Sequence, residues 1–188
     1  MKLNNKRTIL VGLAFLSICA FWQMYDSIVP LILTKTFHMN ETFSGAIMAA
    51  DNILALFLLP FFGSVSDKSH SKLGKRMPFI LFGTGCAIIL MNILPLLDNS
   101  YAAQPSGFKT ASFVIVLGLL LVAMGTYRAP AVALMPDVTP KPLRSRANAI
   151  INLMGAVGGI LYLGVAAVLY PNSKTAGLDH VNYQPLFI

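Results

Sequence analysis

Residues 63–80 read GSVSDKSHSKLGKRMPFI, between AIMAADNILALFLLPFF upstream and LFGTGCAIILMNILPLL downstream. Within residues 66–76 stand four bases and one acid, while both flanks are runs that water rejects. A charged hinge between two such runs is what a chain needs when it leaves a bilayer and re-enters it.

Composition agrees. Of 188 residues, 56% are hydrophobic and 11% charged, and mean hydropathy is +0.70. Soluble domains carry about 25% charged residues, so this chain has too little charge to cover a wet surface. Apolar runs cover roughly 8–34, 43–65, 77–97, 111–135 and 147–170, each near the about 20 residues that a spanning helix needs. Apolar character resumes at Tyr183 and reaches Ile188, as the first turn of a sixth, truncated span would. The expected fold is an all-α polytopic membrane protein, with five transmembrane helices plus the start of a sixth in one unit, 1–188.

Lys2, Lys6 and Arg7 precede the first run as in a signal peptide. However, Ile18 is bulky where cleavage needs a small residue, and the run continues to Leu33. The first segment therefore reads as a retained helix. Lys and Arg outside the spans alternate as three, one, four, one, three and one. The N-terminus, the 66–76 loop and the 136–146 loop are then cytoplasmic. The net charge of +7 is thus topological, and no nucleic-acid partner is expected. Cys19 and Cys86 lie in apolar runs and read as packed thiols. His38, His70 and His180 lie in loops far apart in sequence. No metal site, cofactor motif or nucleophile–base set is present, so an enzyme is not expected.

Three charges remain inside the runs: Asp26, Asp51 and Arg128. Ionisable groups at membrane depth are costly and usually functional. Asp26 shares a helical stripe with Gly12, Cys19, Gln23 and Pro30, and Tyr127 sits beside Arg128 on span 4. Span 5 carries Asn148, Asn152, Gly155, Gly159, Tyr162 and Ala166 along one stripe. Spans 1, 2, 4 and 5 thus surround something polar, and span 3 supports them from outside. Asp26 and Asp51 both lie about 12 Å below the outer side at 1.5 Å per residue. Two carboxylates at one level share a proton or hold a cation; alternatively each meets a neighbouring hydroxyl, an amide or outer water. Trp22 and Tyr25 either stack on a sugar ring or pack between helices. The glycines of span 5, Gly155, Gly158 and Gly159, read as close helix packing. Pro30 and Pro60 are expected to bend or end their helices near the mouths.

Gly63-x-x-x-Asp67-Lys68 followed by Gly74-Lys75-Arg76 resembles the signature loop between helices 2 and 3 of the major facilitator superfamily. The form SDKSHSKLGKRMPFI resembles the branch holding plant-type sucrose carriers and glycoside–pentoside–hexuronide symporters. YRAPAVALMPDVTPKPLRSRANAI, 127–150, resembles that branch's passage from helix 4 to helix 5. The resemblance implies a twelve-helix carrier in two halves, working by alternating access on a sugar or glycoside with protons or sodium. This chain would be its N-terminal six-helix half, partnered by the missing C-terminal half or a second half-chain, in a lipid bilayer expected to be the plasma membrane. Asp26 is similar in place to a proton-coupling acid and Asp51 to a cation-site acid. Arg128 is similar to arginines that bind sugar hydroxyls; the helix-4 acid of some sucrose carriers is missing. Gln23, Tyr127 and Asn152 complete the expected substrate and ion site. Gly63, Asp67, Lys68, Gly74, Lys75 and Arg76 form the expected cytoplasmic gate, with Asp67 meeting a helix N-terminus of the other half. The rival readings are a non-transporting membrane scaffold, a pore subunit and a carrier-like sensor.

Overall fold

The computed structural model describes residues 5–187; Lys2 and Ile188 lie outside the described residues. Five long helices make the bundle: α1 (Asn5–Leu31), α2 (Glu41–Lys68), α3 (Met77–Ala103), α4 (Gly107–Val138) and α5 (Arg144–Leu169). Two single turns follow, α6 (Asn172–Thr175) and α7 (Gln184–Phe187). No strand occurs among the described residues. All five long helices are long and apolar enough to cross a membrane, and the chain is an integral, multi-pass membrane protein.

The helices outrun the apolar segments that announce them. α3 continues past Leu97 to Ala103, and α4 begins at Gly107. The expected 98–110 loop therefore shrinks to residues 104–106. Local capping explains the extension. Lys109 donates from Nζ to the Ser100 and Gln104 carbonyls at 2.8 and 2.9 Å, pairing groups that a helix end leaves open. Asn40 caps α2, its Oδ1 accepting from the Thr42 N–H at 3.1 Å, with Glu41 favourable in the first turn. α2 runs on past Pro60 to Lys68, whereas α1 ends at Leu31, one residue past Pro30. Just beyond Pro30 the ladder widens into a π-helical turn, Ile32–Thr36. There the Phe37 N–H reaches back to the Ile32 carbonyl at 3.1 Å.

Close packing follows the small residues. α1 lies on α5, where a Cβ on Gly158 would meet the Leu16 carbonyl oxygen at 2.2 Å and one on Gly155 the Cys19 sulfur at 2.8 Å. α3 lies along α4, with the Gly83 position only 2.7 Å from Tyr127 Cβ, and α2 meets α4 at Gly125 and Leu58. Such contacts suit a bilayer, where backbone approach and van der Waals packing replace hydrophobic drive. Met24, Tyr25, Val29, Ile32, Leu33, Leu94, Phe113 and Leu117 fill the centre. Phe57, Phe82, Ile89, Ile160 and Val168 point outward, apolar on a surface that lipid covers.

Candidate functional site

α1, α2 and α4 converge on a narrow cleft lined by Trp22, Asp51, Leu54, Leu58, Leu59, Gly125 and Arg128. Gly125 is what lets α2 come close enough to close the cleft. The Arg128 guanidinium carbon sits 5.0 Å from the centroid of the Trp22 ring. A cation over an indole face is held by the ring quadrupole, and Arg128 forms no ion pair among the described residues. The Trp22 Nε1–H is buried without an acceptor. Asp51 Oδ1 accepts from Asn52 Nδ2 at 2.8 Å. Asp26 is exposed on α1 and does not line the cleft. The fully buried Tyr25 has a hydroxyl with no hydrogen-bond partner. The cleft thus brings a planar cation, an aromatic face and a carboxylate together from three helices. The cleft is tight, about 10 Å³, so these groups meet one another there rather than line an open ligand cavity.

Other expected site residues lie elsewhere. Gln23 Nε2 donates to Ser27 Oγ at 3.3 Å, and its Oε1 lies 3.6 Å from where a Gly159 Cβ would stand. It therefore faces α5. Tyr127 is buried against Gly83. It lines a different cavity of about 440 Å³, apolar, together with Met24, Ala87, Met124 and Tyr162. Asn152 is exposed on α5 and does not line the Arg128 cleft.

The hinge of residues 69–76 is built around Arg76. Its Nη2 pairs with Asp67 Oδ1 at 3.0 Å, Nη1 donates to Ser66 Oγ at 3.4 Å, and Nε donates to Asp137 Oδ2. One guanidinium thereby ties the end of α2 to the start of α3 and the end of α4, using the fork that lysine lacks. The Arg76 side chain is 11% exposed, against 61% for Asp67 and 50% for Asp137. Gly74, at φ +97°, takes the left-handed turn that brings Arg76 back. Lys68 and Lys75 remain exposed, and a Cβ on Gly63 would meet open space among the described residues. The sequence pattern did not single out Asp137, although PDV at the edge of an apolar run was its signal.

Nor did it single out Asp98. Placed by its pattern as the first loop residue after Leu97, it is helical and 0% exposed. Across from it stands His180, from a stretch remote in sequence. No group of three or more metal-ligating side chains occurs among the described residues.

The Major Facilitator Superfamily model matches residues 11–177. Sucrose transport protein SUC3 of Arabidopsis thaliana is 35% identical over 158 residues, covering 78% of this chain and 26% of that protein. Sucrose transport protein SUT3 of Oryza sativa subsp. indica is 36% identical over 154 residues, 74% of this chain and 30% of that protein. Alpha-ketoglutarate permease of Escherichia coli (strain K12) is 25% identical over 179 residues, 94% of this chain and 38% of that protein. The chain thus spans well under half the length of these relatives. No solved structure matches it. With five spanning helices, an arginine-centred hinge between the second and third, and a family model matching most of its length, the chain belongs to the major facilitator superfamily.

Proposed function

We propose that residues 1–188 act as the N-terminal half of a secondary carrier that moves a sugar or glycoside by alternating access, coupled to protons or sodium. The observation that carries this is the Arg128 guanidinium laid on Trp22 beside Asp51, in a cleft shared by α1, α2 and α4. Relatives whose names say that they transport sucrose support the substrate class. In this reading Arg128 and Asp51 hold substrate hydroxyls and Trp22 its apolar face. Asp26, exposed on α1, carries the coupling ion. Gln23, Tyr127 and Asn152 act from the neighbouring faces of α1, α4 and α5. The Arg76 hinge, with Gly63, Asp67, Lys68, Gly74 and Lys75, holds the cytoplasmic side against the second half. The N-terminus lies in the cytoplasm and the bilayer is that of the cell surface.

Alternating access rocks one half against the other around a midplane site. The 188 residues alone, reconstituted in vesicles with an imposed proton or sodium gradient, therefore accumulate no labelled mono- or disaccharide. Paired with a complementing second half they do, and Asp26→Asn then abolishes uphill accumulation while leaving exchange. Saturable, gradient-driven uptake by the chain alone would make it a half-size carrier. Uptake of a 2-oxo acid in place of sugars would overturn the substrate class.

A further inference from the structure

At the end of the bundle opposite the Arg76 hinge, Asp98 is buried with neither carboxylate oxygen in a hydrogen bond. A bare carboxylate there is expensive unless a proton or a cation meets it. His180 does: its Nδ1 lies 3.9 Å from Asp98 Oδ2 and 3.2 Å from Thr36 Oγ1, and its Nε2 lies 3.0 Å from Asn99 Oδ1.

The surrounding bonds fix where protons must be. The Gln184 backbone N–H donates to Asn182 Oδ1 at 3.0 Å, so that atom is an oxygen. Asn99 Nδ2 donates to the same oxygen at 3.0 Å, which leaves Asn99 Oδ1 as an acceptor facing His180. His180 Nε2 must then carry a hydrogen. A neutral imidazole has only that one, and its bare Nδ1 would face an ionised Asp98 with the single Thr36 hydroxyl hydrogen between them. One further proton, on Nδ1 or on the carboxyl, removes the conflict.

We infer that Asp98 and His180 together carry one proton, as a pair 3.9 Å apart, and that this proton latches residues 180–184 onto the end of α3 and the turn after α1. Such a proton belongs to the pair rather than to either residue. The other groups around it do not supply its role. Tyr183, on the latched segment, has its phenol pushed up by burial first and by the Asp98 charge second, so it stays neutral. Tyr170 at the end of α5 is committed to the Asn182 carbonyl at 2.6 Å. Lys109 of α4 is committed to the Ser100 and Gln104 carbonyls. Lys35 on the turn after α1 and Asp179 beside His180 are exposed, and neither forms an ion pair with Asp98 or His180 among the described residues. Tyr101 of α3 stacks on Phe37.

The latch weakens in both directions of pH. A second proton neutralises the carboxyl beside an imidazolium, so the ion pair is lost as pH falls. Removal of the shared proton leaves a buried carboxylate against a neutral ring, so the contact is lost as pH rises. The test is a nitroxide on Leu178→Cys, in the full chain with Cys19→Ala and Cys86→Ala, held in nanodiscs and scanned from about pH 4 to about pH 10. The parent shows its immobile component largest at intermediate pH, with the mobile component growing several-fold at each extreme. His180→Gln, which cannot bind the proton, is immobile only in acid, where Asp98 is neutral. Asp98→Asn is immobile at neutral and alkaline pH and loosens only in acid. These two variants bend in opposite directions, which a merely structural contact would not produce, and either one alone gives a signed result if the other does not fold. A spectrum flat across pH in the parent, or the same pH curve in parent and variants, would overturn the latch.

Discussion

Arg128 and Arg76 perform different tasks with one chemistry. Arg128 lies on an indole face with no ion pair among the described residues, and Arg76 is ringed by acceptors from two helix ends. Both use the planar fork, so lysine fails at both for the same reason. Arg128→Lys is expected to lose most sugar response in a fluorescence titration, while thermal unfolding stays near the parent's. Arg76→Ala shows the reverse pattern: the hinge loses about 1–2 kcal/mol in detergent unfolding, because its partners are half-exposed and solvent screens them. An unchanged melting profile for Arg76→Ala would reduce the three bonds to surface contacts. At this scale the sequence is legible where a charge breaks an apolar run, as at Asp26, Asp51 and Arg128. It is not legible at Asp98, because a charge at the edge of a run looks like the start of a loop. His180, far along the chain, gives no sign of standing opposite. Tyr127 is legible as a neighbour of Arg128 in sequence, but successive residues on a helix point about 100° apart at 3.6 per turn.

The number and order of the spanning helices are readable because five long apolar runs leave no other way to satisfy a backbone in lipid. Their lengths are not. The apolar run from 77 to 97 becomes a 27-residue helix, since helical hydrogen bonding persists into water when side chains such as Lys109 cap the last carbonyls. Small residues mark the contact faces. Gly158 has the Leu16 backbone where its Cβ would go, whereas Gly164 on the same helix has open space. Gly158→Ala is therefore expected to destabilise the α1–α5 pair by about 1–3 kcal/mol, as overpacking does. Gly164→Ala is expected to be neutral or slightly stabilising. Equal melting temperatures for the two would mean that α1 and α5 are not in backbone contact at Leu16. Gly155-x-x-x-Gly159 is legible as a packing motif, although Gly158, outside that spacing, makes the tightest approach.

For the whole molecule, the charge pattern from which orientation is argued is spread over the loops and is legible in the sequence alone. Lys68, Lys72 and Lys75 should resist a membrane-impermeant amine reagent added outside intact cells, while Lys35 reacts. Labelling of the 69–76 hinge from outside would reverse the orientation proposed here. The fold then puts Trp22 of α1, Asp51 of α2 and Arg128 of α4 on one shared cleft, and that cleft is where a sugar is proposed to bind. Trp22 is the chain's single tryptophan and forms part of the cleft wall, so its emission reports the site with no added label. The decisive measurement is Trp22 fluorescence of the purified chain in nanodiscs, titrated with sucrose, simple glycosides, monosaccharides and a 2-oxo acid. A saturable change is expected with at least one sugar or glycoside, abolished by Arg128→Ala and weakened by Asp51→Asn. A signal that ignores every sugar, or an equal saturable response in Arg128→Ala, would contradict it.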